Sequence, residues 1–406
     1  MSKLPLEGIR VIDFSWVLAG PFATRILGDM GAQVIKIESK RKIDGLRAYG
    51  PWRGEPTEPE IGCGLFDLYN RNKLSIALDL TTPGGLEICK RLIGIGDIVV
   101  ENYSVRGMKK FGLEYPVLQE INPGIIMISM AGMGQTGPYR EYISFGPTLQ
   151  ALSGMSVLVG SPDGEPVGIG NSYPDHTAAV HAGIAVLAAL ELRESTGKGQ
   201  HIDLSQYESV VGLLGPQVMD YVANGRVPQR MGNRLPSASP HGCYRCKGDD
   251  RWCVISVFTD AEWQSLCDVM GTPGLSKEPK FATVQGRVSN NDELDRLVEA
   301  WTVQHPPEEV MERLQKAGVA AGMVQNIEDL MLRDPQIKAR GFYQEVEHPV
   351  TGISALEGLP FQFSELSWSM RRPAPMLGEH TQQVLTEILD MPEEEIERFA
   401  LEGVFE

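Results

Sequence analysis

The sequence has 406 residues, of which 42% are apolar and 22% charged, and its 53 acidic and 37 basic side chains give a net charge of −16. This length predicts two domains, and the negative charge argues against nucleic acid or an anionic membrane as a partner. No apolar run of about 18 residues and no signal-peptide pattern occurs, and six cysteines are too few for a disulfide scaffold, so we expect a cytoplasmic protein without a membrane span.

Strand and helix patterns alternate through the first third of the chain. The predicted elements are strands at 9–14, 33–38, 97–101 and 125–130, and helices at 22–30 and 84–94. Strands that alternate with helices indicate a parallel sheet with helices on both of its faces. The fold class is therefore α/β.

A second group of elements begins with a long helix predicted over 178–194. Its apolar residues surround the helix, so we expect it to be buried. A strand at 200–204 and a helix at 205–222 follow. The composition then becomes polar and rich in Pro, Gly and Arg. We therefore predict a linker at 223–242, a small α+β domain at 243–326 and a second linker at 327–345.

Several common catalytic motifs are absent from the sequence. It has no P-loop, no G-x-G-x-x-G after the first strand, no G-x-S-x-G and no H-E-x-x-H. Cys243 and Cys246 form a lone C-x-x-C, but no second pair completes a set of four metal ligands. We expect a turn with two small apolar residues here, and no metal site.

Basic residues gather in three segments of the first 110 residues. They are Lys36, Lys40, Arg41, Lys42, Arg47, Arg71, Lys73, Arg106, Lys109 and Lys110. In an acidic protein, cations that follow strand ends favour an anionic ligand at the carboxyl edge of the sheet. An ordinary solvated surface is the alternative at this stage.

Asp175 lies in the segment GNSYPDHTAAVHAG, just before the long helix. As an N-cap, its side chain would accept hydrogen bonds from free backbone N–H groups. Alternatively, it is a carboxylate nucleophile that the turn presents to a ligand. His176 and His181 are nearby, and an adjacent imidazole more often packs than catalyses.

Five segments, taken in order, resemble the family III CoA-transferases. They are L-x-G-I-R-V-I-D-F with the following AGP and LGDMGAQVIKIE (6–38), NRNKLSIALDL (70–80), DIVVENY (97–103), GMGQTGPY (132–139) and STGKGQHIDLS (195–205). The resemblance covers most of residues 6–260 and weakens over the small domain. It implies a Rossmann-like large domain built from 1–222 and 346–406, a small domain, and two open chains that interlock as a dimer. The partner would be an identical or a homologous chain.

The same resemblance implies a site and a reaction. Asp175 occupies the position of the family's nucleophile, which forms acyl-aspartyl anhydride and aspartyl-CoA thioester intermediates. Coenzyme A would be a substrate, with no tightly bound cofactor. The residues expected to contact it are Val17, Leu18, Arg41, Asn72, Lys73, Asn102, Tyr103 and Lys110. Some members carry a run of glycines as a lid, whereas this chain has SASPHG at 237–242.

Two alternatives use the same fold. An α-methylacyl-CoA racemase needs a histidine upstream of the aspartate, but the first histidine of this sequence is His176. A non-catalytic partner subunit has no need to retain Asp175 and the basic segments. The acids that exchange CoA are not specified by the sequence. Four arginines are candidates for binding a second carboxylate and weakly favour succinyl-CoA as donor: Arg47, Arg140, Arg226 and Arg230.

Overall fold

The computed structural model describes residues 3–52, 55 and 58–405 of the chain. The strands are β1 (Arg10–Asp13), β2 (Gln33–Glu38), β3 (Lys73–Ala77), β4 (Ile98–Glu101), β5 (Ile126–Ser129), β6 (His201–Asp203), β7 (His241–Arg245), β8 (Trp252–Ser256), β9 (Ala320–Met323), β10 (Tyr343–His348) and β11 (Gly352–Glu357). The α-helices are α1 (Ala19–Asp29), α2 (Gly64–Asn70), α3 (Pro83–Gly94), α4 (Tyr115–Ile121), α5 (Gly146–Leu152), α6 (Met155–Leu158), α7 (Tyr173–Thr196), α8 (Gln206–Val211), α9 (Gly215–Asn224), α10 (Asp260–Met270), α11 (Val284–Ser289), α12 (Asn291–Thr302), α13 (Pro307–Lys316), α14 (Pro335–Ala339), α15 (Thr381–Gln383) and α16 (Glu393–Leu401). Within these described ranges, no helix is both long enough and apolar enough to cross a membrane.

The central sheet has six parallel strands in the order β3-β2-β1-β4-β5-β6. The chain moves outward from β1 to β3 and then crosses back to place β4 on the other side of β1. In such doubly wound sheets a crevice opens at this reversal, outside the carboxyl ends of the strands, and ligands bind there. The predicted α/β fold class is confirmed, and the sheet topology predicts a ligand site in the crevice between β1 and β4.

Each strand of the sheet contributes alternate side chains to two apolar layers. In β1, Val11 packs with α1 and α7, whereas Ile12 packs with α3 and with the helical residues near the C-terminus. Val34 and Ile35 of β2 alternate in the same way. Such alternation is expected for strands whose two faces are both covered by helices.

The chain divides into two compact units. The first contains the described residues of Met1–Ser156, Gly168–Arg226 and Lys338–Glu406, and it holds the parallel sheet and the β10–β11 hairpin. The second contains Val157–Val167 and Val227–Ile337, and its antiparallel sheet β7-β8-β9 packs with α10, α12 and α13. The predicted linkers 223–242 and 327–345 contain two of these boundaries. Residues 157–167, which the sequence predicts in the large domain, group with the second unit.

Two local predictions are wrong. The single helix predicted at 205–222 is interrupted between α8 and α9 by a short 3₁₀ turn, where Gly212, Gly215 and Pro216 weaken a continuous helix. Cys243 lies inside β7 rather than in a turn, and both it and Cys246 are free thiols. No group of three or more potential metal ligands occurs among the residues that the structure describes.

Four of the predicted ligand-binding cations are instead buried in ion pairs. The pairs are Lys36–Asp44 at 3.0 Å, Lys73–Asp13 at 3.0 Å, Arg47–Glu38 at 2.7 Å and Arg71–Asp29 at 2.7 Å. All eight side chains are 0% exposed. Burial opposes the charge of Asp13, but the two lysines and hydrogen bonds from Ser15 and Thr24 hold its pKa below the usual value. These cations neutralise the interior of the fold.

This arrangement predicts that Lys73→Ala destabilises the protein by about 3–5 kcal/mol, because it leaves the Asp13 carboxylate buried without its cation. The urea midpoint of unfolding should fall accordingly. Lys110→Ala, at an exposed position, should change stability by no more than about 0.5 kcal/mol. Equal midpoints for the two variants would contradict the structural role of Lys73.

Candidate active site

A cavity of about 460 Å³ lies at the reversal between β1 and β4. It is built from the turn after β1, the loop after β4, the loop that leads into α5, and the start of α7. Its lining residues are Trp16, Val17, Leu18, Asn102, Tyr103, Ser104, Ala131, Gly132, Arg140, Glu141, Tyr142, Ile143, Ser144, Phe145, Gly146, Pro147, Ser172, Asp175 and Gln206. The segments that follow three neighbouring strands, β1, β4 and β5, thus lie around the carboxylate of Asp175.

The turn after β1 has an unusual backbone at Val17, whose φ is 62°. A β-branched residue in this left-handed region is strained, and such strain persists only where surrounding contacts enforce it. The side-chain amide of Asn102 forms two hydrogen bonds with the backbone of Trp16. It accepts from the N–H at 2.8 Å and donates to the carbonyl at 2.7 Å. The buried carboxylate of Asp44 accepts the N–H of Val17 at 3.0 Å. The turn is therefore fixed from two sides.

The loop after β4 is held by a buried carboxyl group, that of Glu101. It accepts the backbone N–H of Tyr103 at 2.7 Å. Burial raises the pKa of Glu101 to about 7, although hydrogen bonds from Ser129 and Tyr103 partly oppose the rise. The Tyr103 ring packs edge-on against Trp16, with 5.6 Å between ring centroids. The two loops thus form one continuous wall of the cavity.

Asp175 is the third residue of α7, because the helix begins at Tyr173 and Ser172 occupies the N-cap position. The prediction that Asp175 caps the helix is wrong. Its carboxylate accepts a hydrogen bond from the Ser172 hydroxyl, and the backbone N–H groups of Asp175 itself and of Ala19, at the start of α1, favour its charged form. Burial raises the pKa of Asp175, while these hydrogen bonds and nearby His176 oppose the rise. The carboxylate therefore lies where two helix N-termini converge.

Gly146 lets the chain pass close to this carboxylate. A Cβ atom at Gly146 would overlap the Ser172 hydroxyl and lie 2.9 Å from Oδ2 of Asp175. Both contacts would be closer than van der Waals radii allow, so any side chain at Gly146 would displace Ser172 or Asp175. The absence of a side chain preserves the hydrogen bond between them.

Both ring nitrogens of His176 form hydrogen bonds within the protein. Nδ1 lies 2.7 Å from the Ser172 carbonyl and donates to it, which leaves Nε2 to accept from the Tyr69 hydroxyl at 3.0 Å. The ring also packs edge-on against Phe22. This histidine orients the start of α7.

Comparison with known proteins identifies the family. Residues 6–381 match the sequence profile of CoA-transferase family III. The chain belongs to this family. It is 35% identical to the succinate–glutarate CoA-transferase of Agrobacterium fabrum, over 98% of each chain. It is also 35% identical to the α subunit of the succinyl-CoA–L-malate CoA-transferase of Chloroflexus aurantiacus, over 98% of this chain and 92% of that subunit. A solved CAIB/BAIF family protein from Brucella suis superimposes with a TM-score of 0.87 at 34% identity, covering 95% of this chain and 100% of that one.

The structure of this family III CoA-transferase brings together five of the predicted site residues. Val17, Leu18, Asn102 and Tyr103 line the cavity with Asp175. They follow β1 and β4, whose carboxyl ends are adjacent in the sheet. The turn after β1 and the loop after β4 lie far apart in the sequence, and the strand order of the sheet brings them together.

Two predicted CoA contacts, Asn72 and Lys73, do not lie in this cavity. Asn72 precedes β3, at the amino edge of the sheet, and its amide donates to Asp29 at 2.7 Å. Lys73 is fully buried, and its ammonium group donates to Asp13 at 3.0 Å, to Asn70 at 2.8 Å and to the carbonyl of Pro21 at 3.1 Å. All three of its donor hydrogens are thus in use. The geometry argues against a phosphate contact for either residue.

The remaining predicted cations, Arg41 and Lys110, are exposed but do not line the cavity. Arg41 follows β2 and forms an ion pair with Asp79 at 3.0 Å, although its side chain stays 62% exposed. Lys110 lies in the 3₁₀ turn that follows β4. Both stay predictions as CoA contacts.

The sequence analysis misses several lining residues. Apart from Arg140, the lining residues of the loop 140–147 are among them, although this loop directly follows the family's glycine-rich segment at 132–139, which was the available signal. Ser172 and Gln206 carry no such signal, because serine and glutamine are common in turns and helices. Lys42 lies beside the site, since its ammonium is 4.7 Å from the centroid of the Trp16 ring, which lines the cavity.

The Ser172 hydrogen bond generates a pH prediction. A donor to a carboxylate favours the charged form, so Ser172→Ala should raise the pKa of Asp175 further. If activity requires the carboxylate, the acid limb of the kcat/KM profile should move to higher pH. Ser153→Ala, a buried serine that does not line the cavity, serves as the control. An unchanged acid limb in Ser172→Ala would contradict the importance of this hydrogen bond.

Proposed function

We propose that this enzyme transfers CoA from the acyl-CoA of a dicarboxylic acid to an acceptor carboxylic acid, with Asp175 as the nucleophile. The observation that carries this proposal is the position of Asp175 in the cavity between β1 and β4. Its carboxylate is partly buried and accepts a hydrogen bond from the Ser172 hydroxyl, and the backbone N–H groups of Ala19 and of Asp175 itself favour its charge. Desolvation strengthens a carboxylate as a nucleophile, and hydrogen bonds to it favour its ionised form.

The proposed chemistry proceeds through covalent intermediates on Asp175. The carboxylate attacks the thioester carbonyl of the donor, releasing CoA thiolate and forming an acyl-aspartyl anhydride. The thiolate then attacks the aspartyl carbonyl, which frees the donor acid and leaves an aspartyl-CoA thioester. The acceptor carboxylate attacks this thioester and expels the thiolate again. Attack of the thiolate on the acceptor's carbonyl releases the new acyl-CoA and restores Asp175.

Coenzyme A is proposed to bind as a substrate, and no tightly bound cofactor takes part. Val17, Leu18, Asn102 and Tyr103 would flank the pantetheine at the mouth of the cavity. Arg41 and Lys110 would pair with phosphates, because they follow β2 and β4, the two strands on either side of β1, and both are exposed. We further propose a cytoplasmic location, where acyl-CoA substrates and free thiols coexist.

Succinyl-CoA is the proposed donor. The names of the two relatives described above include succinate or succinyl-CoA paired with glutarate or L-malate. All of these acids carry two carboxylates, which supports the dicarboxylic class for this chain. The acceptor within that class is left to a screen of acids.

We also propose that the chain works as an interlocked dimer, with an identical or a homologous partner. The helix predicted to be buried, α7, exposes one apolar face in the single chain: Val180, Ile184 and Leu187, of which Ile184 is 63% exposed. Met219 and Val222 of α9 are exposed as well. Exposed apolar residues on these two helices support a protein–protein interface there. The named α subunit among the relatives keeps a heteromer open.

Substitution of Asp175 tests the nucleophile. Asp175→Asn retains the shape of the side chain and one acceptor oxygen but not its nucleophilicity, so it should fold normally and lose transfer activity by at least about 1,000-fold. Asp175→Ala should be equally inactive. Activity is measured as CoA exchange from succinyl-CoA to glutarate, and folding by thermal unfolding. Substantial activity in a well-folded Asp175→Asn variant would eliminate Asp175 as the nucleophile.

A direct chemical trace should accompany these kinetics. Wild-type enzyme incubated with succinyl-CoA and hydroxylamine should acquire a hydroxamate on the peptide that contains Asp175, detected by mass spectrometry. Asp29→Asn, which alters a buried carboxylate outside the cavity, should leave the adduct on Asp175 if it folds. Failure to detect any adduct on the wild-type peptide would argue against the covalent route.

The dimer is tested by light scattering at micromolar concentration. The expected mass is at least twice the 44.6 kDa of one chain, alone or after a homologous partner is added. Ile184→Glu should weaken the assembly because it places a charge in an apolar interface. Leu401→Glu, on an exposed apolar residue of α16, should leave the mass unchanged. A stable and active wild-type monomer would contradict the dimer.

A further inference from the structure

Arg140 is the one positive charge on the wall of the Asp175 cavity. Among the described residues that line this cavity, only Arg140, Glu141 and Asp175 carry charge. The rest of the wall near Arg140 is formed by the apolar and aromatic side chains of the same loop, Tyr142, Ile143 and Phe145. An uncompensated guanidinium in such surroundings is a specific binding element for an anion.

The charge of Arg140 is not neutralised by its neighbours. Glu141 pairs more closely with Arg106, at 3.1 Å, than with Arg140, at 3.9 Å. Two arginines thus share one carboxylate, and this cluster has a net charge of +1. The Arg140 side chain remains 52% exposed, so its guanidinium is available to a ligand.

The other arginines considered as carboxylate ligands have different positions. Arg47 is buried against Glu38, Arg226 pairs with Asp220 at 2.9 Å, and neither lines the cavity. Arg230 belongs to the second unit, where it donates to the carbonyl of Val157 at 3.1 Å. Arg140 alone of the four shares a cavity with Asp175.

We infer that Arg140 binds the distal carboxylate of a dicarboxylic acyl group while the carbonyl at the other end meets Asp175. This inference rests on the proposed role of Asp175. A guanidinium forms two parallel hydrogen bonds with a carboxylate, which fixes the far end of the acyl chain and discriminates against a methyl group. Arg140 is then a specificity-determining residue, and short dicarboxylic acids are its substrate class.

The test compares succinyl-CoA with butyryl-CoA, which has the same chain length and a methyl group in place of the carboxylate. Each is used as the donor with one fixed acceptor, for wild type and Arg140→Gln. The variant should lose about 10- to 100-fold in kcat/KM with succinyl-CoA and keep its kcat/KM with butyryl-CoA. Arg398→Gln, an exposed arginine on α16, is the matched control and should change neither value.

Three outcomes overturn the inference and leave the proposed function intact. An equal loss with both donors means that Arg140 contacts the CoA moiety, for example a phosphate. No loss with either donor means that Arg140 binds no part of the substrate. A wild-type enzyme that does not prefer succinyl-CoA over butyryl-CoA has no distal carboxylate site. Failure of the proposed function gives a different result, which is a fully active Asp175→Asn variant whatever the donor.

Discussion

The turn that follows β1 depends on two buried carboxylates, those of Asp13 and Asp44. Asp13 accepts the backbone N–H of Ser15 at 2.9 Å, and Asp44 accepts that of Val17 at 3.0 Å. A buried carboxylate stays ionised only when a cation accompanies it, and each of these has a lysine ammonium at 3.0 Å. The left-handed backbone at Val17, and with it one wall of the cavity, therefore depends on lysines that do not line the cavity themselves.

The same turn determines the surroundings of Asp175, because it leads directly into α1. The backbone N–H of Ala19, the first residue of α1, favours the charged form of the Asp175 carboxylate in α7. The facing positions on the two helices are small, and Ala23 of α1 belongs to the same buried cluster as Ala182 of α7. Small side chains let the helix axes approach closely. The proximity of the α1 N-terminus to Asp175 is thus a result of the packing of two helices that lie far apart in the sequence.

Local patterns predict the elements that are apolar and well bounded, and they miss those whose polar residues are buried. The strand predicted at 33–38 agrees with β2 at both ends. The sequence analysis predicts no strand at β3, because Lys73 and Ser75 interrupt its apolar run, although both are fully buried. Likewise, the helix α7 is apolar on every side, but the pattern cannot tell which of its faces packs within the chain and which is exposed.

Charge patterns alone also do not separate cations that stabilise the fold from cations that bind a ligand. Lys36 and Lys73 look as suitable for a phosphate as Lys110 does, since all three belong to the basic segments of the first 110 residues. Burial decides between them: a cation inside the fold is tolerated only with its charge already paired, so it has none left for a substrate. An exposed cation keeps its charge. The proposed binding of an anionic substrate by Arg140 therefore relies on an exposed cation at the rim of the cavity, and the buried lysines contribute by holding the turn after β1 in place.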